Sequence, residues 1–301
     1  MNFTINPYTK AALTIIVILG CILGFLLFST LLSSLIFGVN MSQIDTLTEQ
    51  SSSSLIHAAK LIQVIQVILL FIIPPVVLGK LFNNDSLHYL KIKQNPKQGF
   101  LLAIAIMIFA IPVINLLADW NAHMIFPKAF SNLETYMKNL EDQEDHIMGA
   151  FLKSSSFPGL CLNVFIIAIL PAIGEEIFFR GFMQRIFISW FKNYHVAIAV
   201  TGFIFSAVHF QFYGFVPRFL MGVLLGYMMV WSNNLWVPII AHFTNNALDV
   251  IGYFFINRGM KESVLNFGSS PDTYIYTVIG TILMAATIYL LYRKRVKSTL
   301  V

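Results

Sequence analysis

Residues 165–182 read FIIAILPAIGEEIFFRGF, an apolar run that contains two neighbouring glutamates, Glu175 and Glu176, and one countercharge, Arg180. An apolar stretch of this length approaches the roughly 20 residues that a membrane-spanning helix needs. Ionised side chains in such a helix are costly, and those that occur there usually serve function. The stretch therefore predicts a membrane protein with a functional carboxylate inside one of its spans.

The composition of the whole chain indicates the same class. Of 301 residues, 57% are apolar and only 11% are charged, and the mean hydropathy is +0.75. A soluble domain carries about 25% charged residues, so that class is excluded. We predict an all-α, polytopic membrane protein with a single transmembrane domain over residues 1–301. Eight spans are expected, of which the fifth and sixth are short: 11–37, 59–82, 99–118, 159–180, 196–212, 217–232, 235–255 and 273–292.

Basic residues set the expected orientation, because Lys and Arg concentrate in the cytoplasmic loops of membrane proteins. The segments KIKQNPK (91–97) and RKRVK (293–297) dominate their distribution. They predict both termini in the cytoplasm, and the net charge of +5 then reflects topology and contact with anionic lipid. The sequence shows no basic, aromatic-interleaved domain, so we expect no nucleic-acid partner.

The longest segment between spans, residues 120–157, is expected outside the membrane. Apolar side chains recur in it at helical spacing and acidic ones follow: Phe130, Leu133, Met137 and Leu140, then Glu141, Asp142, Glu144 and Asp145. This pattern is typical of an amphipathic helix at the membrane interface. A solvated cap on the outer face is the simpler interpretation, and a role in binding a cation or substrate stays open.

The two glutamates have different expected roles. Glu176 and Arg180 are four residues apart, with the glutamate on the favourable N-terminal side, so we expect them to form an ion pair. Glu175 is rotated by about 100° around the helix and is left without this partner. Pro171 and Gly174 precede it, and they predict an interrupted backbone ladder that permits close approach of a neighbouring helix.

Polar groups also occur in two later spans. His209 lies in IFSAVHF, and His242 and Asn246 lie one helical turn apart in IIAHFTNNALDV. Taken singly, a histidine in such a position is more often a packing residue than a catalyst, and Asn246 alone is typical of contacts between spans. Asp249 is one turn further on the same face. It either caps the helix or pairs with an outer-side base such as Arg218.

The expected depths of these groups agree with one another. If the fourth and fifth spans form a hairpin that turns at 192–194, Glu175 lies about 17 residues before the turn and His209 about 16 residues after it. Both then lie at the same level. His242 lies about 10 Å from the turn at 231–234, which places it in the inner half of the membrane. We therefore predict one functional cluster.

The chemistry that fits such a cluster is peptide hydrolysis. The set provides a carboxylate, two imidazoles and an amide, and no serine or cysteine nucleophile is paired with a base. A poorly hydrated carboxylate is a stronger base than an exposed one and is suited to take a proton from water. One imidazole can orient that water, and the other imidazole with the amide can stabilise the oxyanion formed at the attacked carbonyl.

These motifs resemble those of the CAAX protease and bacteriocin-processing (CPBP, or Abi) family of intramembrane proteases, which is related to the Ras-converting CAAX endopeptidases. The similarity rests on three motifs in this order: Glu175-Glu176-x-x-x-Arg180, Phe205-x-x-x-His209 and His242-x-x-x-Asn246. The connecting stretch RFLMGVLLGYMMVWSNNLWVPIIAH, with Gly222 and Gly226, is similar as well. The resemblance covers about residues 165–250, and the chain before it agrees only as hydrophobic spans.

The resemblance implies an eight-helix endopeptidase in which Glu175 activates water together with His209. His242 and Asn246 would form the oxyanion site. The remaining motif residues, Glu176, Arg180 and Phe205, would support it. Eukaryotic members remove the C-terminal tripeptide of prenylated CAAX proteins, whereas bacterial members are linked to peptide maturation, bacteriocin immunity and membrane-protein processing. The composition favours a bacterial source, hence a membrane-associated peptide or protein substrate in the cytoplasmic membrane.

Three alternatives stay open. Glu175, His209 and His242 could instead hold a zinc ion with one open position, and the family has been described as metalloproteases. The sequence lacks H-E-x-x-H and asparagine is a poor zinc ligand, so we favour a metal-free mechanism. A transporter also buries Glu and His near the membrane centre, but it usually shows repeated halves, which we do not find here. A non-catalytic scaffold or immunity protein that binds a peptide is the third alternative.

Overall fold

The computed structural model of the protein describes residues 7–83, 85–92 and 99–296. All regular structure in these ranges is helical, and the prediction of an all-α, polytopic membrane fold is confirmed. Three of the basic residues used for the orientation, Lys93, Lys97 and Lys297, lie outside the described residues.

The described helices are numbered α1 to α11 in chain order, and two of them contain π-helical turns. Helix α3 joins Ser53–Gln66, the π-helical Val67–Ile72 and Ile73–Asn83. Helix α7 joins Phe157–Asn163, the π-helical Val164–Ile169, Leu170–Glu176, the π-helical Ile177–Met183 and Gln184–Phe191. The other helices are α1 Pro7–Phe37, α2 Met41–Ile44, α4 Ser86–Tyr89, α5 Phe100–Ala122, α6 Ser131–Leu152, α8 Tyr194–Ala207, α9 Phe215–Ser232, α10 Trp236–Ile256 and α11 Tyr274–Arg293.

Seven of the described helices are long and apolar enough to cross a membrane, namely α1, α3, α5, α7, α9, α10 and α11. Helix α8 is apolar but shorter, and it completes the expected set of about eight. Several predicted boundaries were wrong, among them the start of the second span, which is Ser53 instead of 59. The fourth span continues to Phe191 instead of ending at 180, and the fifth ends at Ala207 instead of 212.

The end of α7 is set by local chemistry at its boundary with α8. Lys192 adopts a left-handed conformation, which ends α7. The Asn193 side chain then accepts hydrogen bonds from the backbone amides of His195 and Val196, so it caps the N-terminus of α8. The hairpin turn between the fourth and fifth spans therefore lies where the sequence predicted it.

Helix α7 lies in the interior of the bundle, where it packs against both α3 and α10. One buried cluster joins α5, α9, α10 and α11 through residues such as Met107, Leu225 and Ala241. A second cluster joins α3, α7 and α10 through residues such as Ile177 and Ile239. By contrast, no residue in the most apolar part of α1 is buried, which fits a lipid-facing helix. The part of α7 that carries the glutamates is therefore shielded from lipid, whereas its ends are exposed at residues such as Phe157 and Trp190.

Helix α6 occupies the segment that was expected to be extramembrane and amphipathic. Its C-terminal end is attached to the bundle by Lys60 of α3, which is buried and donates hydrogen bonds to Phe151 O (3.0 Å) and to Asn163 Oδ1 (2.7 Å). The Lys60 ammonium also lies over the Phe151 ring, 5.5 Å from its centroid. These contacts hold α6 across the bundle, close to the polar groups of the spans.

Candidate active site

The paired glutamates lie on a short α-helical piece of α7, Leu170–Glu176, between two π-helical turns. Such turns are frequent at functional sites. The predicted close approach is present at Gly174, because a Cβ built there would lie only 2.4 Å from Val67 Cγ1 of α3. Pro171 has no N–H to bond the carbonyl of Ile167. The Asn246 side chain of α10 donates to that carbonyl instead, at 3.2 Å.

Glu176 and Arg180 form the expected ion pair, with Arg180 Nη1 2.6 Å from Glu176 Oε1. Both side chains are fully buried. The second Arg180 terminal nitrogen, Nη2, donates to the carbonyl of Gly222 on α9 at 3.0 Å. Arg180 Nε and Glu176 Oε2 are buried without a hydrogen-bond partner among the described residues. The ion pair is therefore enclosed by protein. If one of the two side chains were removed, few neighbouring groups could neutralise the charge of the other.

His242 joins this pair, a contact that the sequence did not reveal. Its Nδ1 lies 2.9 Å from Glu176 Oε1. Because a carboxylate beside an arginine only accepts hydrogen bonds, Nδ1 carries the proton. The other ring nitrogen, Nε2, lies 4.0 Å from Glu175 Oε2. Glu176 is thus the common partner of Arg180 and His242, and it fixes the ring so that Nε2 faces Glu175.

His209 lies just beyond the end of α8. Its Nδ1 is 2.7 Å from the carbonyl oxygen of Phe205, and a carbonyl can only accept, so Nδ1 donates. The Nε2 atom of the neutral ring then has a free lone pair for a hydrogen-bond donor such as water. This hydrogen bond explains why the fifth span ends before the predicted residue 212. The chain leaves α8 in a turn after Ala207, and this turn lets the His209 ring bond the carbonyl of Phe205.

Phe205 packs at the centre of these groups and is 1% exposed. Its ring centroid lies 5.3 Å from that of His209 and 5.8 Å from that of His242, in edge-to-face arrangements. The Arg180 guanidinium lies over the same ring, 4.5 Å from the centroid. One aromatic side chain therefore sets the relative positions of the two histidines and the arginine.

Close packing of α9 against α8 supports this arrangement at Gly222. A Cβ added there would lie 3.0 Å from Gly202 Cα and 3.2 Å from Phe205 Cδ1. We expect Gly222→Ala to destabilise the protein by about 1–3 kcal/mol, as overpacked cores do, and to lower activity by displacing Phe205. Unfolding and cleavage assays in detergent would measure both effects. Gly20→Ala is the matched control, because nothing lies within 4 Å of its added Cβ.

The polar groups line a cavity of about 1030 Å³ between α3, α6 and the core helices. Glu175, His209, His242 and Asn246 all contribute to its wall. Helix α6 closes one side of it with the following residues: Tyr136, Leu140, Gln143, Glu144, Ile147, Met148, Phe151 and Leu152. The amphipathic segment is thus a wall of the site as well as a surface helix.

Other polar side chains in the cavity wall were not predicted as site residues. Arg218 of α9, Gln66 of α3 and Asn245 of α10 lie there, and Asn245 donates to Asn246 Oδ1 at 3.2 Å. Asp249 also lines the cavity, but the ion pairs of the described residues do not include the suggested pair with Arg218. Asn245 could have been suggested from the sequence, because it is adjacent to the motif residue Asn246. Nothing in the sequence around Gln66 indicated a place in the site.

The residues suggested as zinc ligands were tested for convergence. Over residues 7–83, 85–92 and 99–296, no group of three or more His, Cys, Asp or Glu side chains is placed to hold a metal ion. Glu175 Oε2 and His242 Nε2 approach only to 4.0 Å, and His209 does not complete a group of three with them. The arrangement of these described side chains does not fit a three-ligand zinc site.

Comparison with known proteins shows a family similarity in this region. Residues 157–248 match the family model described as type II CAAX prenyl endopeptidase Rce1-like. This part of the chain is similar to the Rce1-like family. The Rce1-like segment runs from the start of α7 into α10 and contains all three motifs, so the resemblance that the motifs predicted is confirmed. The match supports a CAAX-type intramembrane protease in general.

One curated relative is the protein YpbD of Bacillus subtilis (strain 168), whose name describes it as uncharacterized. It is 32% identical over 90 residues, which are 29% of this chain and 43% of the relative. The chain therefore matches less than half of this relative's length. No solved structure matches the chain.

Proposed function

We propose that the protein is an intramembrane endopeptidase in which Glu175 activates a water molecule for attack on a peptide bond. One observation carries this proposal. Glu175 lies on the wall of a large cavity, 4.0 Å from a histidine nitrogen, while its neighbour Glu176 is occupied by Arg180 and His242. A separation of 4.0 Å is too long for a direct hydrogen bond, so Glu175 stays free to accept a proton from water in the cavity.

The catalytic cycle then needs no covalent intermediate. Glu175 takes a proton from water, which His209 Nε2 orients by accepting its other O–H. The water oxygen bonds to the peptide carbonyl carbon, and negative charge develops on the carbonyl oxygen. When the C–N bond breaks, Glu175 returns the proton to the leaving amine. The net reaction is hydrolysis of one peptide bond.

His242 and Asn246 are the proposed oxyanion donors. Because His242 Nδ1 donates to Glu176, Nε2 carries a proton only in the imidazolium form. His242 acts as a donor when both ring nitrogens carry protons, and the Glu176 carboxylate beside Nδ1 stabilises that form. The Nε2 proton is shared with the oxyanion and stays on the ring, so the cycle consumes no additional proton. Asn246 uses one amide hydrogen on Ile167 O and has a second for the substrate.

The substrate class and the location are part of the proposal. We expect a membrane-associated peptide or protein as substrate, since the cavity lies among membrane helices. The relative from Bacillus subtilis and the composition support a bacterial cytoplasmic membrane. The basic segments support cytoplasmic termini for both ends, and membrane lipid is the other partner.

Metal independence is the first testable consequence. The purified protein should keep its cleavage activity after treatment with a strong chelator, because the proposed base and donors are side chains. Metal analysis of the same sample accompanies the assay. Stoichiometric zinc, with activity lost on its removal and regained on its return, would refute the metal-free mechanism.

The function itself is tested by searching for new peptide ends. Membranes containing the wild-type protein or Glu175→Gln are compared by mass spectrometry of protein N-termini and released peptides. We expect ends that appear only with the wild type at equal protein levels. A biological effect that survives Glu175→Gln would favour the scaffold alternative, and loss of ion-coupled uptake in vesicles would favour the transporter.

A further inference from the structure

Arg218, in the first turn of α9, is a basic side chain in the wall of the cavity that the proposed mechanism does not use. It lines the cavity together with Glu175 and His209. Its Nη2 donates to the side chain of Gln211. Its Nη1 is buried and has no hydrogen-bond partner among the described residues. Arg218 therefore has an N–H group without a hydrogen-bond partner among the described residues, in the same cavity wall as Glu175, the proposed catalytic base.

The carboxylates near Arg218 do not satisfy it. Glu141, Glu144 and Glu175 are close enough to attract it electrostatically, yet the ion pairs of the described residues do not include Arg218. Glu141 accepts a hydrogen bond from the backbone amide of Tyr213 at 3.0 Å. Burial raises the pKa of Glu141 and of Glu144, and the Arg218 charge opposes that rise. These carboxylates therefore attract Arg218 electrostatically, but none of them forms an ion pair with it among the described residues.

The position of the guanidinium is set by the backbone beneath it. Gly214 lies one turn before Arg218, and a Cβ built there would be 3.1 Å from Nη2 and 3.4 Å from Nη1. A Cβ at this position would crowd the guanidinium, so glycine favours its close approach to the chain. The hydrogen bond from Arg218 Nη2 to Gln211 fixes one side of the guanidinium, so the group has a defined orientation before a ligand binds. A preorganised fork loses less entropy when it binds.

We propose that Arg218 binds a carboxylate of the substrate peptide and so restricts cleavage to bonds near that group. The proposal rests on the proposed function, because the ligand that reaches both Glu175 and Arg218 is then the peptide being cut. A guanidinium forms paired, charge-assisted hydrogen bonds with a carboxylate, whereas a neutral amide oxygen offers a weaker contact. The carboxylate is either the free C-terminus or an acidic side chain, and the two are separable by experiment.

The test measures binding as well as cleavage. Wild-type protein and Glu175→Gln, in nanodiscs of phosphatidylcholine, are titrated with three probes: acetyl-Leu-Ile-Val with a free C-terminus, the same peptide as its amide, and acetyl-Leu-Glu-Val amide. The apolar residues suit the apolar part of the cavity wall. We expect at least one carboxylate peptide to bind about tenfold or more tightly than the neutral amide, in line with hydrogen bonds to charged groups.

Variants then assign the preference to Arg218. Arg218→Met should abolish the difference between the carboxylate and amide probes, and Arg218→Lys should keep part of it. Arg258→Met is the matched control, since Arg258 is exposed and lies over Phe254, and it should leave the preference unchanged. Circular dichroism and unfolding checks show that each variant is folded.

The outcomes separate the two proposals. Equal binding of all three probes to the wild type would overturn the carboxylate site, and this result needs no variant that is at risk of misfolding. A preference that survives Arg218→Met would overturn the role of this residue. If Glu175→Gln still cleaves while the Arg218-dependent preference holds, only the proposed mechanism fails. Preference for the free C-terminus or for the glutamate side chain identifies the source of the carboxylate.

Discussion

Glu175→Gln should lower the rate of peptide cleavage by about 10²–10⁴-fold, the usual contribution of a general base. Glutamine keeps the shape of the side chain and removes the group that accepts the proton from water. The folded state should be unaffected, because the Glu175 side chain is 13% exposed and makes no hydrogen bond among the described residues. The measurement is single-turnover cleavage of an identified substrate at equal amounts of folded enzyme.

Two comparison variants make this result specific. Asp249→Asn removes a different carboxylate from the wall of the same cavity and should leave the rate within a few-fold of the wild type. Glu176→Gln should lower both rate and stability, because Glu176 holds Arg180 and His242. Equal loss of rate in Glu175→Gln and Asp249→Asn would argue against a single base and in favour of a general effect of cavity charge.

Individual contacts could be predicted from the sequence where both partners lie on one helix. Glu176 and Arg180 are four residues apart, so helical geometry alone brings them together, and the break at Pro171 and Gly174 follows from the chemistry of those residues. The membrane spans could be predicted for the same reason, since the length of an apolar run is a local property of the sequence. The end of α8 could not be predicted in this way, because the hydrogen bond from His209 to Phe205 O ends the helix earlier than its hydrophobicity suggests.

Between helices, the sequence predicted only that Glu175, His209 and His242 lie at similar depths, and it did not predict which of them form hydrogen bonds. His242 and Glu176 are 66 positions apart, and only the packing of α10 against α7 shows that they bond. The sequence assigned Glu176 to Arg180 alone, and the structure shows that it serves two partners. Arg218 was considered only as a partner for Asp249, because its proximity to the motif residues depends on how the turn after α8 folds back over the cavity.

Arg180→Met should destabilise the protein by about 3–5 kcal/mol, the typical cost of removing one partner of a buried ion pair. The remaining Glu176 carboxylate is fully buried and would retain only His242 as a partner. The Gly222 carbonyl and the Phe205 ring lose their cationic neighbour as well. Chemical unfolding in detergent, or the unfolding rate where unfolding is irreversible, measures the effect.

Helix α6 offers a control of the same spacing in a different environment. Glu134 and Lys138 form an i, i+4 pair at 3.0 Å, and the Lys138 side chain is 55% exposed. Lys138→Met should change stability little, because water and salt screen exposed pairs. If both substitutions have the same small effect, the Glu176–Arg180 pair does not behave as a buried one.

The double variant Glu176→Gln/Arg180→Met separates the structural from the catalytic role of the pair. Replacing both charges removes the unpaired carboxylate, so most of the lost stability should return, as it does when buried ion pairs are replaced as a unit. Activity should stay low, because His242 then has a neutral glutamine beside Nδ1 and its imidazolium form loses the charge that stabilises it. Recovery of cleavage together with stability would show that the network only supports the fold, and the oxyanion role of His242 would then not depend on Glu176.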